Sequence, residues 1–139
     1  MLREFPPISL TEARLMNPLQ LAHVGDTVWE LLVRSRLALK KLKVSHMHRE
    51  AIAAVNAGAQ ADALGRIEPL LSPEEADLVR RGRNAHPGHA APKHQDPADY
   101  QAATGLEALF GYLYLTGQDE RLLQLFAQAW EEEACPQPK

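Results

Sequence analysis

The sequence predicts an all-α fold, and three observations carry that prediction. Apolar residues recur at helical spacing along the whole chain, with no alternating run and no Asn-Gly hairpin signal. Asn17-Pro18, Ser72-Pro73 and Asp96-Pro97 each join a capping side chain to a proline, the arrangement that opens a helix. Two long stretches, residues 15–33 and 100–118, are almost free of charge, as expected of helices buried most of the way round. A chain of 139 residues is the size of one domain. Residues 9–133 are expected to form it as six or seven helices, between irregular termini at 1–8 and 134–139.

The elements follow in order. Pro6 and Pro7 make the first eight residues an irregular lead-in, and Ser9 is placed to cap a short helix ending near Met16. The helix opened by Asn17-Pro18 should run to about Leu39. Ser45 is placed to cap the next, with the alanine-rich stretch 49–63 following and Gly58 as the candidate break between two shorter helices. Ser72-Pro73-Glu74-Glu75 sets a cap, a first-turn proline and a capping-box glutamate in register, so a helix should run from there to about Asn84. Residues 85–96, with Pro87, Gly88 and Pro92, read as a loop. Asp96-Pro97 opens the second apolar helix, which Gly117 ends. Residues 118–133 form the last, with Leu122, Leu123, Leu125, Phe126 and Trp130 as its apolar face.

Composition narrows the function classes. Cys135 is the single cysteine and cannot form an internal disulfide, which fits a reducing compartment. No basic-then-apolar leader opens the chain, and a cytoplasmic location is expected. The most apolar stretch, 100–116, contains Gln101, Glu107 and two glycines, so it reads as a core helix and not as a membrane span. The net charge of −3 conceals segregation. Residues 31–49 and 78–95 hold ten of the fifteen Lys and Arg residues and no acid, so a mildly acidic protein can still turn a basic surface toward a polyanion. The alternative is two solvated helix ends, which basic residues favour.

The isolated carboxylates carry the chemistry. Only Asp26 and Glu30 are charged in residues 15–33, and only Glu107 in residues 100–118. An ionised carboxylate in apolar surroundings needs compensation, and neither stretch holds a basic residue at helical spacing. A cation from elsewhere in the fold would serve, as would a bound metal. Gly25 and Gly111 stand beside the acids and would let two helices approach closely. If they cross there, Asp26 and Glu107 can share magnesium, which takes one or two protein carboxylates and leaves other positions to water and phosphate. Basic segments together with such a site point to hydrolysis of a nucleic acid backbone. His86, His89 and His94 in the loop lack supporting ligands at a zinc spacing. His46 and His48 point different ways, and His23 reads as a core or rim neighbour of Asp26.

HVGDTVWE at 23–30 resembles the signature helix of the ribonuclease III catalytic domain, and LEALFGYLYL at 106–115 resembles that family's second acidic motif. NPLQLAHVGD, RRGRNAHPG at 80–88, Pro92-Lys93 and YQAATGLEALFGYLYLTG are similar to the short group of the family, mini-ribonuclease III, which lacks a double-stranded-RNA-binding domain. The resemblance covers residues 15–130. It implies an all-α homodimeric endonuclease that cuts double-stranded RNA with magnesium, manganese being able to substitute, and leaves 5′-phosphate and 3′-hydroxyl ends. It also implies maturation of precursor large-subunit (23S) ribosomal RNA as the task. Asp26 and Glu107 fall on the two catalytic and metal-binding acids. Two further acids of the full-length enzymes are replaced here by Ala22 and Thr104. With no RNA-binding domain attached, Arg80, Arg81, Arg83, Asn84 and Lys93 are the candidates for gripping RNA. A catalytically inactive RNA-binding or scaffold protein on the same fold is the alternative, which retention of both acids disfavours.

Overall fold

A computed structural model describes residues 3–85 and 96–130. Among them lie seven α-helices and no strand: α1 Leu10–Arg14, α2 Pro18–Leu39, α3 Val44–Val55, α4 Ala57–Ile67, α5 Pro73–Asn84, α6 Pro97–Leu115 and α7 Asp119–Ala129. One 3₁₀ turn, Glu68–Leu70, follows α4, where Pro69 cannot continue an α-helix.

The caps explain the boundaries. Ser9 accepts from the Glu12 amide, and Asn17 and Ser72 each form a complete capping box, with Gln20 and Glu75 respectively. Asp96 accepts from the Ala98 amide. Gly117 ends the second apolar helix as expected. With φ at +72°, it lets its own amide reach the Tyr114 carbonyl and the Gln118 amide reach that of Leu113, closing a Schellman motif.

Three boundaries differ from the sequence reading. The third helix begins at Val44 after Lys43, with no side-chain cap, so Ser45 lies inside it. The alanine-rich stretch breaks at Asn56, not at Gly58. The Asn56 side chain accepts from the Ala59 amide and donates back to the Ile52 and Ala53 carbonyls, serving both helix ends at once. A short amide side chain that can bond neighbouring backbone competes with helix continuation, whereas Gly58 fits the first turn of α4. The last helix ends at Ala129, whose carbonyl accepts two bonds from Arg66 at 2.9 and 2.6 Å. Residues 131–133, expected to continue it, lie outside the described residues.

α6 is the axis of the molecule, packed by α2, α5 and α4. Leu106, Leu109, Phe110 and Leu113 on it are fully buried. Trp29 of α2 stacks edge-on against Phe110 and Phe126, with ring centroids 5.4 and 5.2 Å away, and donates its indole N–H to the Ala54 carbonyl at 3.2 Å. Two glycine pairs let neighbours come close. A Cβ at Gly25 would overlap the Glu107 carbonyl oxygen, and one at Gly111 the Leu21 carbonyl oxygen, so α2 and α6 touch backbone to backbone. A Cβ at Gly82 of α5 would lie 2.8 Å from the Cα of Gly105 on α6. No helix among the described residues is long and apolar enough to cross a membrane.

Candidate functional site

The α2–α6 crossing builds the site. Asp26 follows the contact glycine of α2, and Glu107 supplies the carbonyl against which that glycine packs. Their carboxyl groups come within hydrogen-bonding reach of each other. Burial, together with the hydrogen bond and negative charge of Asp26, pushes the Glu107 carboxyl up to about 8. Gln60 of α4, buried to 3 % exposure, reaches toward Glu107 and pulls the other way. Its Nε2 makes no fully formed hydrogen bond. Gln60 lies in an alanine-rich helix, and nothing in its spacing from Glu107 could show in the sequence that they meet.

The surroundings of the acids divide differently from the sequence expectation. Glu107 is partly buried, but Asp26 faces solvent on the outer stripe of α2 with His23 and Thr27. Glu30 is not left without a cation. Arg34, just beyond the uncharged stretch, bonds it at 2.5 Å. Ala22 and Thr104 add no charge, since Ala22 is buried and the Thr104 hydroxyl donates to the Tyr100 carbonyl at 3.0 Å. Among the described residues no three of His, Cys, Asp and Glu converge, so the donor set is two carboxylates. Two neighbouring acids, one with its pKa raised by burial and by the other, form a hard-oxygen pair that a divalent cation would relieve. The residues present therefore fit magnesium.

The predicted RNA contacts sit at the end of α5. Arg80 pairs with Asp77 at 2.7 Å and Arg83 with Glu68 at 2.6 Å. Arg81 donates to the Arg14 carbonyl at 2.7 Å and the Met16 carbonyl at 3.3 Å, tying α5 to the α1–α2 turn. Asn84 is exposed. Lys93, the loop around it and the histidines His86, His89 and His94 lie outside the described residues. Sequence reasoning missed the α5–α6 glycine pair and the pairing of buried Glu75 with partly exposed Arg121. In that pair the Arg121 guanidinium bonds both carboxylate oxygens, at 2.9 and 2.8 Å.

Residues 19–118 match the model of the ribonuclease III domain. Among curated relatives, the mini-ribonuclease 3 of Symbiobacterium thermophilum is 51 % identical over 115 residues, covering 82 % of this chain and 88 % of the relative. That of a Thermoanaerobacter species is 46 % identical over 121 residues, covering 84 % of each. A crystal structure of a Fusobacterium nucleatum protein superposes with a TM-score of 0.76 at 27 % identity, covering 84 % of this chain and 93 % of that one. With the ribonuclease III model matched across the acid pair and the whole α2–α6 crossing, the chain belongs to the ribonuclease III family, as an endoribonuclease of its mini-ribonuclease 3 group.

Proposed function

We propose that the protein cuts double-stranded RNA with magnesium at Asp26 and Glu107, and that its natural substrate is precursor large-subunit (23S) ribosomal RNA. The observation that carries the reading is the approach of two carboxylates on crossing helices, one of them pushed up by burial and by the other acid. Asp26, on the solvent side, and Glu107, on the protein side, would hold the cation between water and core. The chemistry supplied with magnesium bound is acidification of the attacking water and neutralisation of charge on the phosphoryl oxygens. Manganese, with similar oxygen preference, would substitute.

Arg80, Arg83, Asn84 and Lys93 would grip the duplex through phosphates, and Arg81 would hold the α5 end in place for them. A homodimer suits cleavage of both strands. It is supported by apolar side chains that α2 turns to water, among them Leu31 at 64 % exposure.

Purified protein mixed with labelled duplex RNA, with and without magnesium, tests the activity, and structured precursor ribosomal RNA tests the substrate. Metal-dependent cleavage of duplex but not of single strands is expected. Binding without cleavage at any magnesium or manganese concentration would replace this reading with the inactive scaffold.

A further inference from the structure

We infer that Gln60 is a positioning residue of this site, whose side-chain amide fixes the Glu107 carboxylate in the orientation that shares a cation with Asp26. The inference rests on the metal site proposed above and deepens it. Gln60 stands in the first turns of α4, the helix that packs on α6 beside the α2 crossing. Its neighbours Ala57 and Ala63 are buried alanines, and an apolar side chain would fill the position without a polar cost. An amide withdrawn from water with an unmade hydrogen bond is destabilising. Here the unmade bond belongs to Nε2, and the polar group it approaches is Glu107.

The geometry gives that amide a use. Facing a carboxylate, Gln60 presents its N–H side, because its carbonyl oxygen would meet only oxygen. Both Asp26 and the Gln60 amide reach Glu107. With a cation held by the two acids, the ionised Glu107 carboxylate would be an acceptor for the Nε2 N–H, and that bond would limit its rotation. Groups that orient metal ligands in this way typically contribute about 10–100-fold to metal affinity or activity.

Gln60→Leu removes the donor and keeps most of the volume. Binding of Mn²⁺ alone, followed by calorimetry or by its electron paramagnetic resonance signal without RNA, should weaken about 10–100-fold. The magnesium concentration giving half-maximal single-turnover cleavage should rise by a similar factor. Duplex affinity in EDTA should stay at the wild-type value, and melting in EDTA should not fall. Should Gln60→Leu melt lower, Gln60→Met, unbranched and of the same length, must show the same loss of metal affinity. Wild-type Mn²⁺ affinity and magnesium dependence in either folded variant would overturn the inference. A wild-type protein that neither binds Mn²⁺ nor cleaves would instead overturn the metal site itself.

Discussion

Glu75 and Glu107 are both largely withdrawn from water on helices of the same core, and their surroundings are opposite in sign. Glu75 closes a capping box with Ser72 and receives two bonds from Arg121. The Arg121 bonds above all hold its carboxyl below the ordinary range, against the cost of burial. Among the described residues no guanidinium is a partner of Glu107. Its carboxyl meets burial, another acid and an amide, and is pushed up to about 8. A structural carboxylate is supplied with its counter-charge by the chain. Under the proposed function, Glu107 would obtain its counter-charge from a bound cation.

That contrast is testable as a double dissociation. Glu107→Gln and Asp26→Asn should lower single-turnover cleavage of duplex RNA by roughly 10³-fold or more, the scale of losing electrostatic stabilisation at a reacting centre. Circular dichroism and duplex binding should stay close to wild type. Near-wild-type cleavage by either variant would remove the acids from the chemistry. Arg121→Ala should do the reverse, costing about 2–4 kcal/mol of stability by stranding a buried carboxylate, somewhat discounted because the guanidinium is partly exposed. Its folded fraction should cleave normally. Because the folded Glu75 pKa is depressed, the stabilisation from Arg121 is present above the unfolded value of 4.5 and is lost as pH falls through the folded one. The stability gap between wild type and Arg121→Ala should therefore close in acid, and a gap that widened would refute the pairing.

For Glu107 the sign reverses. Its folded pKa lies above the unfolded 4.5, so between pH 4.5 and about 8 the native state holds a proton that the unfolded chain has released. Stability falls as pH rises through that window. In EDTA, Glu107→Gln should match wild type near pH 4.5 and exceed it by on the order of 1–3 kcal/mol at pH 8. Magnesium should reduce the difference by stabilising wild type alone. Melting curves across pH decide the matter, and a gap independent of pH would contradict the raised Glu107 pKa.

Smaller effects belong to the exposed pairs. Arg83→Ala should weaken duplex binding on unrelated sequences and flatten its salt dependence while changing saturated cleavage less. Lower melting with unchanged affinity at every salt concentration would confine Arg83 to its Glu68 pair. Glu30→Gln removes only a surface pair with Arg34, worth about 0.3–0.5 kcal/mol, and should leave cleavage near wild type.

What the sequence made legible was local. The cap-proline pairs at Asn17, Ser72 and Asp96 place three helix starts, and Gly117 an end, because each acts within a few residues. The helical acid pair was legible as a conditional statement: two glycines permit an approach, but only the fold shows that Gly25 and Gly111 face each other. Glu75 could be read as a cap and not as half of an ion pair, since Arg121 lies 46 residues away. Gln60 was silent for the same reason. The exposure of Asp26 was hidden because a run of apolar neighbours fixes the mean character of a helix, not which stripe meets water.

The α2–α6 crossing has a consequence for how this protein tolerates mutation. Since the two backbones touch, the spacing of the Asp26 and Glu107 main chains is set by backbone atoms, and side chains such as Gln60 can adjust only how the carboxylates are turned. Trimming a leucine elsewhere in the core should erode melting temperature long before it moves either carboxylate. One added methyl at Gly25 or Gly111 has nowhere to go and must prise the helices apart. In a saturation screen scored by cleavage, two residues with no functional group at all should therefore be as intolerant as the acids themselves.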